Sequence, residues 1–92
     1  MSASSDPTPD HTAMVILPAQ LHARPAGALV QAVARFSSTV ELTYQGRTVN
    51  ARGVLAVMSL GAVAGSIVQV QATGDDAAVA LKAAVEVLAS AV

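Results

Sequence analysis

The sequence of 92 residues contains no cysteine. This absence excludes a disulfide framework, a thiolate metal site and a cysteine nucleophile, and it fits a reducing compartment. Charged residues are also scarce, at 12% of the chain with a formal net charge of -1, so no basic field for nucleic acid is present. The apolar runs are much shorter than the roughly 20 residues of a membrane-spanning helix. These absences leave one small domain with no nucleic acid partner and no membrane insertion.

The first twelve residues, MSASSDPTPDHT, have neither the positive flank nor the apolar stretch of a secretory signal. Their serine, proline and aspartate content predicts a flexible arm over residues 1–12, in which His11 is a solvated residue. Residues 13–92 contain no internal repeat and no linker, which predicts one domain over that range. We therefore expect a cytoplasmic protein.

The spacing of apolar residues predicts the first half of the fold. AMVIL at residues 13–17 is typical of a buried strand. After Pro25, apolar residues follow at intervals of three and four, which predicts a helix that ends near Phe36. Strict alternation then predicts a strand over residues 39–44, and a turn at Gln45 and Gly46 leads into a second strand, RTVN. The residues predicted to line the buried face of the first helix are Ala26, Leu29, Val30, Val33 and Phe36.

The second half of the sequence predicts a helix, a strand and a helix. Residues 51–61 predict a short helix, and residues 66–74 alternate again as a fourth strand. Asp75 or Asp76 is placed to cap a closing helix, whose predicted buried stripe is Leu81, Val85, Leu88 and Val92. The order β-α-β-β-α-β-α predicts an α+β fold, with three helices on one face of a four-stranded, mainly antiparallel sheet and water on the other.

The stretch LHARPA, residues 21–26, concentrates the chemistry of the chain. Proline is favoured in the first turn of a helix, so Pro25 predicts a helix that begins at residues 23–25, with His22 just outside it. Unpaired N–H groups and the positive end of the helix dipole meet there. Arg24 adds a planar cation that binds phosphate oxygens through two hydrogen bonds. The pattern predicts an anion site beside His22.

The chemistry at that site stays open on these residues alone. A neutral imidazole is a nucleophile toward phosphorus, and phosphoryl transfer demands mainly positioning and charge stabilisation. A histidine before a helix is also compatible with a plain capping or surface role. No second histidine or carboxylate cluster lies at the spacing of metal ligands, so no metal site is predicted.

Three separated segments carry a resemblance to a known family. LHARPA at residues 21–26, VNARGVLAVMSLGA at residues 49–62 and TGDDAAVAL at residues 73–81 resemble HPr, the family of histidine-containing phosphocarriers in the bacterial sugar phosphotransferase system. The similarity extends over essentially residues 13–92. It implies an open-faced β-sandwich and a carrier that is not a turnover enzyme, needs no cofactor and acts as a monomer.

The resemblance also implies the roles of the residues at the helix start. His22 would take a phosphoryl group on Nδ1 from Enzyme I, which phosphoenolpyruvate charges, and would pass it to IIA components of sugar transporters. Arg24 would steady the phosphoryl group, together with the backbone N–H groups of Ala23 and Arg24, while Pro25 fixes the turn. Ala19 and Gln20 stand where relatives commonly have a small polar residue and a glycine.

The second helix and the loop before it carry the partner surface in this family. The matching apolar positions here are Val54, Leu55 and Met58, and Arg52 adds rim charge for an acidic partner. Many relatives have a regulatory serine that a kinase phosphorylates, but Gly53 stands at that position and has no hydroxyl. Regulation through that residue is not expected.

Two other functions fit the same residues. A regulatory binding module would use the surface around Val54 and Leu55 to control a transcription factor or an enzyme. A carrier in a nitrogen-related or dihydroxyacetone-related phosphotransfer chain would use His22 in the same way but serve another pathway. Retention of His22, Arg24 and Pro25 together favours a carrier.

Overall fold

The computed structural model describes residues 11–92, which form four strands and three helices in the predicted order. The elements, in chain order, are β1 (His11–Ile16), α1 (Ala23–Val33), β2 (Thr39–Tyr44), β3 (Arg47–Asn50), α2 (Val54–Met58), β4 (Ile67–Thr73) and α3 (Ala77–Ala89). The strands pair in the order β1-β4-β2-β3, and every pair is antiparallel. The predicted α+β fold, an open sheet with helices on one face, is confirmed.

The alternation of the strands separates the two faces of the sheet. Val68 lies opposite Val15, and Val70 lies between Ala13 and Leu42, so the inward side chains form continuous rows across the strands. The buried members of these rows are Val15, Val40, Leu42, Val68, Val70 and Ala72. The helices cover this face because apolar area removed from water is the main favourable term in folding.

The other face of the sheet carries the polar residues that the alternation predicted, together with an apolar edge. Gln69 pairs with Thr43 on one side and with Met14 on the other, and Ile16 pairs with Ile67. Met14, Ile16 and Ile67 are each more than half exposed. The prediction that residues 13–17 form a buried strand is therefore wrong for Met14 and Ile16, because the strand alternates and directs these two side chains to the open face.

Several element boundaries differ from the prediction. Strand β1 begins at His11, two residues before the predicted start, so His11 and Thr12 pair with β4; the rest of the predicted arm lies outside the described residues. Helix α2 covers residues 54–58 and not 51–61. The N–H of Ala51 bonds the carbonyl of Val40 at 2.9 Å, so this residue extends the pairing of the sheet. Gly61, at a φ of 69°, follows the end of the helix, as predicted.

The predicted buried stripe of α3 is wrong at Val92 and incomplete elsewhere. Leu88 is buried, Leu81 and Val85 are partly buried and pack against the core, and Val92 lies beyond the helix and is 73% exposed. The face of α3 that packs inward consists mainly of alanine: Ala77, Ala80, Ala84 and Leu88. Helix α3 contacts α1 and three strands, and small side chains allow that close approach. The spacing of the large apolar residues alone does not identify this alanine face.

Asp76 joins the start of α3 to the loop between α1 and β2. It occupies the N-cap position of α3, but its side chain makes no cap hydrogen bond. Its carboxylate instead accepts hydrogen bonds from the N–H groups of Ser37 at 3.0 Å and Ser38 at 2.9 Å, and from the Ser38 hydroxyl. The prediction of a capping aspartate is therefore correct in position and wrong in partner.

Acid titration measures how much these bonds of Asp76 contribute to the free energy of unfolding. The Ser38 hydroxyl, followed by the N–H of Ser37, lowers the pKa of Asp76 from 3.8 to about 2. The unfolded chain therefore takes up this proton first, and the contribution is present above pH 3.8 and is lost as the pH falls toward about 2. We expect the free energy of unfolding to fall less steeply across this window in Asp76→Asn than in the parent protein. Asp75→Asn, which removes a neighbouring carboxylate without these bonds, should keep the parent slope; equal slopes in all three proteins would contradict the assignment.

Gly74 makes the close approach to Ser38 possible. Its φ is 140°, and a Cβ added there would lie 2.6 Å from the Ser38 Oγ and 2.9 Å from the Ser38 Cα. We expect Gly74→Ala to lower the free energy of unfolding by about 2–6 kcal/mol, because backbone strain and overpacking each cost about 1–3 kcal/mol. Gly65→Ala is the matched control, since its φ is 87° and nothing lies within 4 Å of the added Cβ; strain alone should cost about 1–2 kcal/mol. Urea unfolding curves measure both, and equal losses would contradict the steric argument.

Candidate functional site

The site predicted from LHARPA lies at the amino-terminal end of α1. His22 is the N-cap residue, with an extended backbone at φ -88° and ψ -168°, and the helix begins at Ala23. Pro25 is the third helical residue and is buried. Its fixed φ suits the first turn and its missing N–H costs no helical bond there. The predicted helix start is confirmed, and the exposed His22 and Arg24 side chains lie on either side of exposed Ala23.

The first turn of α1 leaves its backbone donors open. The first bond into the helix runs from the N–H of Ala26 to the carbonyl of His22, at 3.0 Å. No side chain caps this end, and the first turn contains no acidic residue. Within residues 11–92, no hydrogen bond engages the N–H groups of Ala23 and Arg24. These two donors and the helix dipole therefore face whatever anion lies beside His22.

The loop before His22 is fixed at two buried leucines. The N–H of Leu17 bonds the carbonyl of Ser66 at 2.9 Å, and the N–H of Leu21 bonds the carbonyl of Ala62 at 3.0 Å. No residue of the loop, from Pro18 to Leu21, has a positive φ. The chain therefore turns here without a glycine and without a residue in the left-handed region.

The imidazole of His22 is exposed and makes one hydrogen bond within the described residues. Its Nδ1 donates to the backbone carbonyl of Gln20, at 2.8 Å. The same carbonyl accepts the backbone N–H of His22 at 2.9 Å. The ring is thus oriented by the main chain two residues upstream, a feature that the sequence did not reveal because it depends on the path of the loop.

Arg24 differs from the other arginines near the helices. The guanidinium of Arg47 bonds the carbonyl of Ser59 at 2.7 Å, and that of Arg52 bonds the carbonyl of Phe36 at 3.0 Å. Arg24 makes no side-chain hydrogen bond or ion pair with any residue of the described range. It is one of the residues that line an open cavity of about 230 Å³ between α1 and the end of α3, together with Pro25, Ala28, Val87 and Val92. Its five donors are therefore available to a ligand.

The predicted partner surface divides into exposed and packed residues. Leu55 is 79% exposed, which is the largest exposed fraction among the large apolar side chains of residues 11–92. Val54 and Met58 pack partly against the core, and Val57 supplies the buried contact of α2. Arg52 is tied to the carbonyl of Phe36, beyond the end of α1, so its guanidinium serves a structural bond besides any rim charge.

Gly53 is the N-cap residue of α2, at a φ of -112° and a ψ of 118°, with no side-chain cap. A Cβ there would lie 3.4 Å from the Cβ of Ala56, an ordinary contact. The backbone therefore accepts a serine, and the missing hydroxyl is a property of this sequence and not of the local space.

Metal and membrane sites are not evident in the described range. Residues 11–92 contain no group of three or more histidine, cysteine or acidic side chains placed to hold a metal ion. No helix in that range is long and apolar enough to cross a membrane.

Comparison with known proteins shows which family has this arrangement. The family model described as PTS HPr component phosphorylation site matches residues 10–90. The chain belongs to the HPr family. HPr proteins are phosphocarriers, and this chain is one of them by fold and by family.

Solved HPr structures support the same assignment. The phosphocarrier protein HPr from Bacillus anthracis is 34% identical, with a TM-score of 0.78 over 85% of this chain and 95% of that chain. HPr from Thermoanaerobacter tengcongensis is 38% identical, with a TM-score of 0.76 over 87% of this chain and 90% of that chain. The Bacillus subtilis catabolite repression protein Crh, seen as a swapped dimer, is 37% identical, with a TM-score of 0.74 over 85% of this chain and 90% of that chain.

Proposed function

We propose that this HPr-family chain carries a phosphoryl group on His22, which it accepts from Enzyme I and passes to IIA components of sugar transporters. The observation that supports the proposal most is the start of α1: an exposed imidazole at the N-cap, two open N–H groups and an unengaged arginine within three residues. No other position in residues 11–92 combines a nucleophile with open donors in this way. By the family resemblance, Nδ1 is the accepting atom.

The chemistry follows from those groups. A lone pair of the His22 imidazole attacks the phosphorus of the charged donor, the new nitrogen–phosphorus bond forms, and the bond to the donor breaks with its electron pair leaving on the donor. The N–H groups of Ala23 and Arg24 and the guanidinium of Arg24 stabilise the charge on the phosphoryl oxygens. Transfer to an acceptor reverses these steps, so the protein is a substrate of its partners and leaves each cycle unchanged.

The domain that acts as carrier spans residues 13–92, behaves as a monomer and works in the cytoplasm. Sugar uptake is the pathway that we favour. A nitrogen-related or dihydroxyacetone-related chain would use the same site with other acceptors, and phosphoryl transfer to purified IIA proteins of each class distinguishes them.

Intact mass spectrometry tests the carrier function directly. The protein is incubated with phosphoenolpyruvate, magnesium and the cognate Enzyme I, and a parallel sample lacks Enzyme I. We expect the mass of one phosphoryl group, lost on acid treatment, only in the complete reaction. An unmodified mass with an Enzyme I that phosphorylates an established HPr would contradict the proposal.

A regulatory binding function is the second candidate, and a specific observation favours it. Leu55 is 79% exposed beside the partly buried Val54 and Met58, and one similar structure is that of a catabolite repression protein. Such a module would bind its target through α2, whether or not His22 carries a phosphoryl group. Binding of a target at equal strength by the parent protein and a His22→Ala variant would favour this function.

Leu55→Asp tests the surface that both functions require. We expect it to slow phosphoryl uptake from limiting Enzyme I by about 10- to 30-fold, because an exposed apolar anchor at an interface contributes about 2 kcal/mol and the new charge is desolvated on binding. The free energy of unfolding should change by less than about 0.5 kcal/mol, since the side chain is exposed.

Val79→Asp is the matched control for that variant. Val79 is 53% exposed and lies near the start of α3, whereas it is the end of α3 that lies beside Arg24 and Pro25 at the start of α1. Its uptake rate should equal that of the parent protein. Equal uptake rates for Leu55→Asp and the parent protein would show that Leu55 of α2 is not part of the partner surface.

A further inference from the structure

The peptide unit between Gln20 and Leu21 holds the imidazole of His22 from the main chain. Its carbonyl accepts Nδ1 of His22 at 2.8 Å and the backbone N–H of His22 at 2.9 Å. A carbonyl oxygen only accepts hydrogen bonds. In this arrangement the ring proton therefore lies on Nδ1, and the lone pair of the neutral ring lies on Nε2.

The same peptide unit is anchored on its other side. The N–H of Leu21 belongs to the planar group that contains the Gln20 carbonyl, and it bonds the carbonyl of Ala62 at 3.0 Å. Leu21 and Ala62 are both buried, with exposed fractions of 2% and 0%. Because the N–H and C=O of a trans peptide point in opposite directions, the bond to Ala62 fixes the direction of the carbonyl toward His22.

The side chain of Ala19 does not compete for the Nδ1 proton of His22. Ala19 has no polar atom, and the helix start has no acidic side chain in its first turn. The Gln20 carbonyl is thus the acceptor that decides which nitrogen of His22 carries the proton in the resting protein.

We propose that the Gln20–Leu21 peptide is a positioning group that holds His22 in the Nδ1–H tautomer, so that phosphoryl acceptance on Nδ1 requires release of the ring from Gln20. The release step rests on the function proposed above. In it, the Nδ1–H···O bond breaks, the Nδ1 proton passes to water, Nε2 takes a proton from water, and the ring turns. The neutral ring then offers its Nδ1 lone pair to phosphorus. The Nδ1–phosphorus bond forms as the bond between phosphorus and the donor breaks.

Nitrogen NMR of the histidine rings tests the tautomer without any phosphoryl donor. Spectra of ¹⁵N-labelled protein are recorded at about pH 9, so that the signals of a neutral imidazole ring are compared. His11, exposed in β1, gives the second signal in the spectrum, and His11→Gln assigns it. We expect His22 to show a protonated Nδ1 and an unprotonated Nε2. A protonated Nε2 with an unprotonated Nδ1 would overturn the proposal.

The kinetic consequence is tested with Gln20→Gly, which gives the peptide unit more conformational freedom. We expect a smaller share of the Nδ1–H tautomer and phosphoryl uptake from Enzyme I that is about 2- to 12-fold faster, the range of one net intramolecular hydrogen bond. Gln45→Gly, in the turn between β2 and β3 where φ is already 49°, makes the same exchange elsewhere and should leave both measurements unchanged.

The outcomes separate this proposal from the carrier function. An unchanged or slower uptake in Gln20→Gly would overturn the release step. A spectrum that shows the Nδ1–H tautomer, with no phosphoryl uptake by any of the proteins, would support the positioning role of the peptide and contradict the carrier function alone, because the spectrum is recorded without a donor.

Discussion

A His22→Ala protein is expected to gain no phosphoryl group from phosphoenolpyruvate, magnesium and Enzyme I under conditions in which the parent protein is fully modified. The substitution removes the only imidazole beside the open N–H groups of Ala23 and Arg24. No other side chain of the first turn of α1 is a nucleophile, so the loss should be complete. Intact mass spectrometry, in which the acid-labile increment is absent, measures it.

The loss of modification has to be separated from a loss of folding. His22 is exposed, and its ring makes one hydrogen bond, to the carbonyl of Gln20. We therefore expect the free energy of unfolding to change by less than about 1 kcal/mol. His11→Ala, which removes the other histidine, should be modified like the parent. Modification of His22→Ala, or its loss in His11→Ala, would assign the site elsewhere.

Arg24→Ala is expected to slow phosphoryl uptake by about 100- to 1000-fold. Arg24 has no partner for its guanidinium among residues 11–92, so in the free protein its removal breaks no side-chain bond. Its effect arises when charge develops on the transferring phosphoryl group, and removing one preorganised donor from such a site costs about 2.7–4 kcal/mol of activation free energy. Rapid-quench measurement of uptake at saturating Enzyme I isolates this step from binding.

Two variants sharpen the interpretation of Arg24. Arg24→Lys keeps the charge and loses the planar fork, so its rate should lie between those of the parent and Arg24→Ala. Arg35→Ala removes the same charge beyond the other end of α1, where the guanidinium stacks over Phe36 at 5.6 Å from the ring centre. Its uptake should match the parent. Similar losses in Arg24→Ala and Arg35→Ala would indicate general electrostatics and not a contact at the phosphoryl group.

The fold was largely predictable because its signals are local. Alternation along residues 39–44 and 67–73 reports which side chains face the core, and a period near four does the same for α1, whose buried Leu29 and Val33 were predicted. These patterns arise from the geometry of one strand or one helix. Adjacent strands can then be joined only in a few ways, so the order of elements indicated the open sheet.

The errors share one cause, which is that a partner distant in the sequence decides the outcome. The buried face of α3 consists mainly of alanine, because this helix packs closely against α1 and the sheet. The spacing of large apolar residues along the sequence does not indicate how closely two elements pack. Asp76 accepts hydrogen bonds from Ser37 and Ser38, which lie 39 and 38 positions earlier in the sequence, and its side chain does not cap its own helix. The extra pairing of His11 with Ala72 likewise depends on β4.

By itself, the sequence determined that His22, Arg24 and Pro25 meet at a helix start, since the restrictions of proline and the preferences of a first turn act within a few residues. It also determined the absence of a serine at Gly53. Only the tertiary structure decided which groups remain open: Arg47 and Arg52 are bonded to carbonyls elsewhere in the chain, whereas Arg24 is not. It also decided the orientation of the His22 ring, because the Gln20 carbonyl is directed by a bond from Leu21 to Ala62, a residue 41 positions further along the chain.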